Sequence, residues 1–175
     1  MRYRTEVRRR PAGLTAVVVA LLLLQGCAYY SFTGASIPQH IQTVAIPLVD
    51  DVTSNSITDL GGLLTQRLVD RFVGQTRLQL ATDPGQADAL LTSQINQYAL
   101  QPAAVGGQNT ATLNRLTITV SATYVDQAED NQLFQRTFSS SVEYDPADLA
   151  SEEAAAGEVL DNIADDIFTA ATSNW

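Results

Sequence analysis

Lysine is absent from this 175-residue chain, and cysteine and histidine occur once each, at Cys27 and His40. A lone cysteine excludes an internal disulfide. With a lone histidine the chain can build neither a cysteine-rich zinc site nor a histidine-based catalytic metal centre, so no metal and no cofactor are expected. Also missing are a nucleophile elbow, a histidine-containing triad and a phosphate-binding glycine loop, which argues against an enzyme. The longest apolar run, Leu14 to Leu24, is eleven residues. As a helix it reaches roughly 16 Å, well short of the ~30 Å hydrocarbon core of a bilayer.

Charge is sparse, at 17% of residues, and unevenly placed. Arg2, Arg4, Arg8, Arg9 and Arg10 are half of the ten basic residues, and Glu6 is the one acid among residues 1–26. Residues 27–175 therefore keep 18 of the 19 acids against five arginines, a formal charge of −13. A body this acidic repels nucleic-acid backbones, and no nucleic-acid partner is expected.

The arginine-rich head followed by an apolar run has the layout of a secretory signal. Its end, Leu24-Gln25-Gly26-Cys27, resembles the lipobox of bacterial lipoproteins. Residues 1–26 are thus read as a lipoprotein signal peptide and Cys27 as the lipidation site. Two or three acyl chains, at about 0.8 kcal/mol per buried methylene, make a stable membrane anchor. Ala28, where an aspartate would favour inner-membrane retention in many such lipoproteins, points to the periplasmic face of the outer membrane. Residues 27–42, with Gly34 and Pro38, read as lipid anchor and tether, and residues 43–175 as one domain. His40 has no acid or nucleophile pattern around it and reads as a surface or structural histidine.

Thr43 to Val49 is β-rich, and Pro47 either places it at a sheet edge or ends it. Asp50 to Asn55 offers capping chemistry. Ile57, Leu60, Leu64, Leu68 and Phe72 then recur at helical spacing before Gly74, which predicts an amphipathic helix of about five turns. Gly61-Gly62 costs that helix about 1 kcal/mol per glycine relative to alanine, tolerable where its backbone closely approaches a neighbour. Arg77 to Thr82 reads as a short strand, parallel to the first through a right-handed crossover. Ala87 to Leu100 is a long strand with Leu91 and Ile95 on one face and Thr92, Gln94 and Asn96 on the other.

The clearest alternation follows. Between Leu116 and Tyr124 the even positions are apolar, and Thr117, Thr119, Ser121 and Thr123 fill the other face. Phe134, Phe138 and Val142 likewise oppose Gln135, Thr137, Ser139 and Ser141. A turn over residues 128–131 makes the two a hairpin, and a register that pairs Tyr124 with Phe134 and Val120 with Phe138 aligns the apolar faces. The opposite face is then uncharged and hydroxyl-rich, and meets water or another protein. Asp145 caps a last helix with Pro146 at its first position; Leu149, Ala156, Leu160, Ile163 and Ile167 form its buried stripe. Glu152, Glu153, Glu158, Asp161, Asp165 and Asp166 read as its solvated acidic side. The order predicts an α+β two-layer sandwich, two helices packed on one face of a mixed four- or five-stranded sheet, with strand order left open.

The stretch Cys27-x-Tyr-Tyr-Ser-Phe-x-Gly-x-Ser-Ile-Pro38, running into Val44-Ala-Ile-Pro47, resembles the start of the LptE family, the lipopolysaccharide-assembly lipoproteins of the outer membrane. Beyond it the resemblance continues as element order and as Gln86-Ala-Asp-Ala-Leu-Leu91. It implies a domain that plugs the LptD β-barrel translocon, supports its assembly and aids lipopolysaccharide transport to the cell surface. The partners so implied are an LptD-like barrel, lipopolysaccharide and, through Cys27, the membrane. A hydroxyl-rich face suits a polar barrel lumen, which makes Thr117, Thr119, Ser121 and Thr123 the candidate partner-facing residues.

Family members are thought to bind lipopolysaccharide through basic residues, which puts Arg67, Arg71 and Arg136 forward. Arg67 and Arg71 stand one helical turn apart, as a phosphate-binding pair or as an ordinary helix-surface pair. Arg136 falls by parity on the apolar face, its stem covering apolar area while its head reaches water. The rival reading is another envelope lipoprotein, of the curli-secretion CsgG-like or cell-wall synthase activator type, which would share the strand, helix and strand at the start.

Overall fold

A computed structural model describes residues 37–55, 57–103 and 113–173. The expected signal peptide, Cys27 and Trp175 lie outside the described residues. In chain order the elements are β1 (Thr43–Ala45), β2 (Asp50–Asp51), α1 (Leu60–Gly74), β3 (Gln79–Leu80), β4 (Ala89–Pro102), β5 (Asn114–Asp126), β6 (Asn131–Tyr144) and α2 (Leu149–Thr172). They form the expected two-layer sandwich on a mixed sheet of six strands rather than four or five. The strand order is β3-β1-β4-β5-β6, with β2 also beside β4. β1 runs parallel to both β3 and β4, whereas β4, β5 and β6 form an antiparallel meander.

β1 ends at Ala45, before Pro47, and lies between β3 and β4, so the proline ends the strand and does not mark an edge. The Ala-Asp-Ala-Leu-Leu segment accounts for its position. Asp88 Oδ2 accepts from the backbone N–H groups of Gln42 and Thr43 and from the Thr43 hydroxyl, each at 2.9 Å. One carboxylate thus ties the start of β4 to the start of β1. These bonds, that from Gln42 N–H foremost, hold the Asp88 carboxyl below its ordinary value. Its contribution to stability is therefore present above the ordinary carboxylate range and lost as pH falls through the depressed value. Asp88→Asn is expected to lower stability at neutral pH and to flatten the acid limb of the stability profile, as read from urea unfolding at a series of pH values.

Residues 37–42, which the sequence reading placed in the tether, belong to the domain: Ile37 and Ile41 lie in the buried core, 6% and 0% exposed, and residues 27–36 lie outside the described residues. α1 also starts later than its apolar spacing suggested. Its cap is Asp59 rather than the 50–55 segment: Asp59 accepts from Gly62 N–H at 3.1 Å, with its own backbone at φ 59°. Ile57 precedes the helix. The close approach anticipated at the glycines occurs at Gly61, where an added Cβ would lie 2.3 Å from the Val49 carbonyl oxygen. Thr65 completes that junction, accepting from Val49 N–H at 2.9 Å and donating to Gly61 O at 2.8 Å.

The hairpin adopts the expected register, Tyr124 opposite Phe134 and Val120 opposite Phe138. β4 departs from simple alternation at a bulge between Ile95 and Gln97. Before it Thr92 and Gln94 face away from the helices; beyond it Gln97 and Ala99 do, and Tyr98 joins the core side opposite Ile118. α2 is capped by Asp148, which accepts from Ala150 N–H at 3.0 Å, and not by Asp145. Asp145 instead accepts from Ala147 N–H in the preceding turn, at 2.9 Å.

Leu60, Leu64, Leu68 and Phe72 of α1 and Val159, Leu160, Ile163 and Ile167 of α2 bury against Leu91, Ile95, Leu116, Ile118, Val120 and Tyr124 of the sheet. Among the described residues the Tyr124 hydroxyl, within this core, has no hydrogen-bond partner. Burial raises its pKa, so it stays protonated. An unsatisfied buried hydroxyl costs of order 1 kcal/mol or more. Tyr124→Phe is expected to leave stability unchanged or raise it by about 1 kcal/mol in chemical denaturation; a loss would mean that a buried water satisfies the hydroxyl.

Candidate partner-binding face

Both helices cover the same side of the sheet, which leaves the other side of β4, β5 and β6 bare among the described residues. Thr117, Thr119, Ser121 and Thr123 run along its centre, opposite Ser141, Ser139, Thr137 and Gln135 of β6 and Ala99, Gln97, Gln94 and Thr92 of β4. Strand alternation, set by the apolar demands of the helix side, places them there. The hydroxyls bond across the strands: Thr119 Oγ1 lies 3.1 Å from Ser139 Oγ, and the bulged Asn96 donates to Ser121 Oγ at 2.9 Å. Charge appears only at the margins of this patch. Arg115 and Glu143, opposite one another, pair at 2.6 Å, and Asp50 of β2 accepts from Gln94 at 2.9 Å.

The structure brings Arg67 and Arg71 together but binds both to α2. Arg67 Nε donates to Asp161 at 3.0 Å, and Arg71 Nε donates to Asp165, with Asp161 also 3.9 Å from Arg71 Nη2. The Asp165 hydrogen bond, foremost, raises the Arg71 pKa above its ordinary value. Asp161 and Asp165 are solvated as the sequence implied, 48% and 57% exposed, but they also pair with Arg67 and Arg71 as a charged seam between the helices. Glu152 is also engaged, accepting from Tyr98 OH at 2.7 Å and Tyr144 OH at 3.4 Å. Burial and then this bond raise the Tyr98 pKa. Each pairing joins residues 8 to 94 positions apart, and no local pattern marks them. Arg136 lies on β6 opposite Ala122 and is exposed.

His40 corrects another expectation, since it is not alone. Its Nε2 lies 2.5 Å from Oδ2 of Asp126, whose side chain is 1% exposed, and its Nδ1 lies 3.8 Å from Glu129 Oε1. Among the described residues these three are close enough to consider as cation ligands. Both ring nitrogens, however, face carboxylates, the arrangement that suits a doubly protonated imidazolium.

Among the described residues the fold is a small two-layer sandwich with helices on one side of the sheet and an uncharged, hydroxyl-rich face on the other. The model of the lipopolysaccharide-assembly family, LptE, matches residues 41–171, and the chain belongs to this family of envelope lipoproteins. No curated protein matches the sequence. Among solved structures, protein XCC0632 from Xanthomonas campestris is 14% identical with a TM-score of 0.54, covering 73% of this chain and 81% of its own. Protein CT253 from Chlamydia trachomatis is 11% identical with a TM-score of 0.53, covering 77% and 99%. The uncharacterized lipoprotein B from Nitrosomonas europaea is 14% identical with a TM-score of 0.51, covering 73% and 80%. At these identities the likeness is one of fold.

Proposed function

We propose that this chain is a non-enzymatic outer-membrane lipoprotein, anchored at the periplasmic face through Cys27, that seats its bare sheet face within an LptD-like β-barrel. In that position it supports assembly of the barrel and transport of lipopolysaccharide to the cell surface. The observation that carries the reading is the uncharged three-stranded face. A folded domain of net negative charge has placed its ions on the helix layer and the sheet margins, and kept one broad surface for neutral hydrogen-bonding contacts. Barrel lumens are polar, and a hydroxyl- and amide-bearing surface exchanges hydrogen bonds there without stranding a buried charge. Family membership supports the same partner.

The test is site-specific photocrosslinking at Thr117, Thr119, Ser121 and Thr123 in the full-length lipoprotein, with exposed Glu158 on α2 as the control position. An adduct of barrel size from the four sheet positions is expected; its absence counts against the docking face. Affinity purification from detergent-solubilised outer membrane is expected to recover one large β-barrel in near-equal amount. A ring of this chain alone would favour the curli-secretion type instead. Cys27→Ser is expected to abolish palmitate labelling, and labelling that persists would remove the anchor.

Lipopolysaccharide contact through Arg67, Arg71 and Arg136 is the arm with the least geometric support. A phosphate would have to displace Asp161 and Asp165 from the first two arginines. Partly exposed pairs of this kind are each worth about 0.2–1 kcal/mol. Replacing Arg67 and Arg71 together by alanine is therefore expected to weaken helix pairing slightly and leave glycolipid capture unchanged; lost capture would restore them as ligands.

A further inference from the structure

The segment 37–42, through which the chain enters the domain, is held from several sides. Ile37 and Ile41 are buried in the core. Arg77 Nη2 donates to Pro38 O at 2.7 Å and reaches Ile37 O and Ile41 O at 3.4 Å. Asp88 takes the Gln42 N–H. His40 supplies the remaining tie, to the end of β5 and the turn that follows it. There Asp126 is pre-set: its Oδ1 accepts from the N–H groups of Ala128 and Glu129 at 3.0 and 3.2 Å, which leaves Oδ2 for the imidazole.

We propose that His40 is a proton-operated clasp, which in its doubly protonated form fastens the 37–42 segment to the β5–β6 hairpin end and on losing a proton lets that segment open. The neutral ring can donate from only one nitrogen. If Nε2 keeps its hydrogen for Asp126, the Nδ1 lone pair is turned towards the Glu129 carboxylate; if Nδ1 keeps it, a lone pair meets the buried Asp126. Only the doubly protonated ring can satisfy Asp126 and also attract Glu129, so the closed geometry is strengthened by the cation. The charged groups around the ring are all acidic: Asp126 from β5, Glu129 from the turn and Asp88 from the start of β4. Arg77, on the other side of the segment, is occupied with its carbonyls.

The His40 pKa is raised from 6.5, chiefly by the Asp126 hydrogen bond; desolvation opposes it next, and the charges of Asp126, Glu129 and Asp88 each add a smaller rise. For a raised histidine the stabilisation is fully present below 6.5 and is lost as pH rises through the elevated midpoint. The segment should thus be closed in mild acid and loosen above that midpoint. The size is set by linkage: each unit by which the midpoint exceeds 6.5 is a tenfold gain in closing on protonation. The clasp is read from residues 37–129 alone and stands or falls apart from the lipid anchor. Where that anchor is present, release of six residues would add up to about 20 Å of tether.

His40 is the one histidine, so ring-labelled full-length protein in detergent micelles gives a single titrating signal. Its midpoint is expected above 6.5 and lower in Glu129→Gln, a change in an exposed turn residue that spares the core. Over the same pH range, exchange protection of the Ile41, Gln42 and Thr43 amides, corrected for intrinsic exchange, should fall by about tenfold per unit of midpoint elevation. In His40→Gln that fall should disappear; if this variant does not fold, the smaller fall in Glu129→Gln carries the comparison. A midpoint at or below 6.5 overturns the clasp. So does protection that stays constant while the ring titrates.

Discussion

Phe72→Ala is expected to lower the unfolding free energy by about 3–5 kcal/mol, the range for deleting a large buried aromatic. Phe72 is fully buried at the last full turn of α1 and meets Tyr124 of the sheet edge-on at 5.9 Å and Phe168 of α2 at 5.5 Å. Its ring is the point where both helices and β5 converge, so no single element can collapse into the space it leaves. The aromatic contacts add roughly 0.5–1.5 kcal/mol per pair beyond area. Urea unfolding of the described domain, with its midpoint shifted and its slope kept, is the measurement. A loss below about 1 kcal/mol would mean that the helices are not packed on Tyr124 as described.

Gly61→Ala is expected to destabilise by about 1–3 kcal/mol, although alanine is the better helix former by about 1 kcal/mol. The new Cβ would lie 2.3 Å from the Val49 carbonyl oxygen, a backbone atom that cannot swing aside as a side chain can. The same shift would pull apart the Val49, Thr65 and Gly61 hydrogen bonds that fix α1 to the segment between β1 and β2. Gly74→Ala is the matched control, because nothing lies within 4 Å of its added Cβ. That variant is expected to be neutral or slightly stabilising, by a few tenths of a kcal/mol. If both alanines behaved alike, the close approach at Gly61 would be wrong.

The seam of Arg67, Arg71, Asp161 and Asp165 and the clasp of His40, Asp126 and Glu129 bear on function in the same way. Both internalise or pair charge on the helix side and at one end of the sheet. A chain with so few cations spends Arg67 and Arg71 on α2, Arg77 on the entering segment and Arg115 on Glu143. The bare sheet face is neutral among the described residues, and the proposed docking on it is expected to depend only weakly on ionic strength.

The sequence by itself determined the periodic features: the apolar stripe Leu60, Leu64, Leu68 and Phe72, the alternating faces of β5 and β6, their register, and the hydroxyl row Thr117 to Thr123. These follow from repeats of 3.6 and 2 residues, which operate between near neighbours in the chain. The α+β class and the family resemblance followed from the order of those elements and from the stretch around Cys27. What only the tertiary structure decided was everything that rests on meeting at long range or on a break in period. The Asn96 bulge reverses the parity of β4 and turns Tyr98 inward to Glu152. β1 became a central strand because Asp88 captures its first amides. The caps moved to Asp59 and Asp148, since several acids near each helix start could serve and the packing of the helix selects one. Asp161 and Asp165, still half exposed, paired with Arg67 and Arg71, and His40 gained a buried carboxylate 86 residues away. A charged side chain's partner depends on which surfaces the core brings together, and no spacing along the chain encodes that.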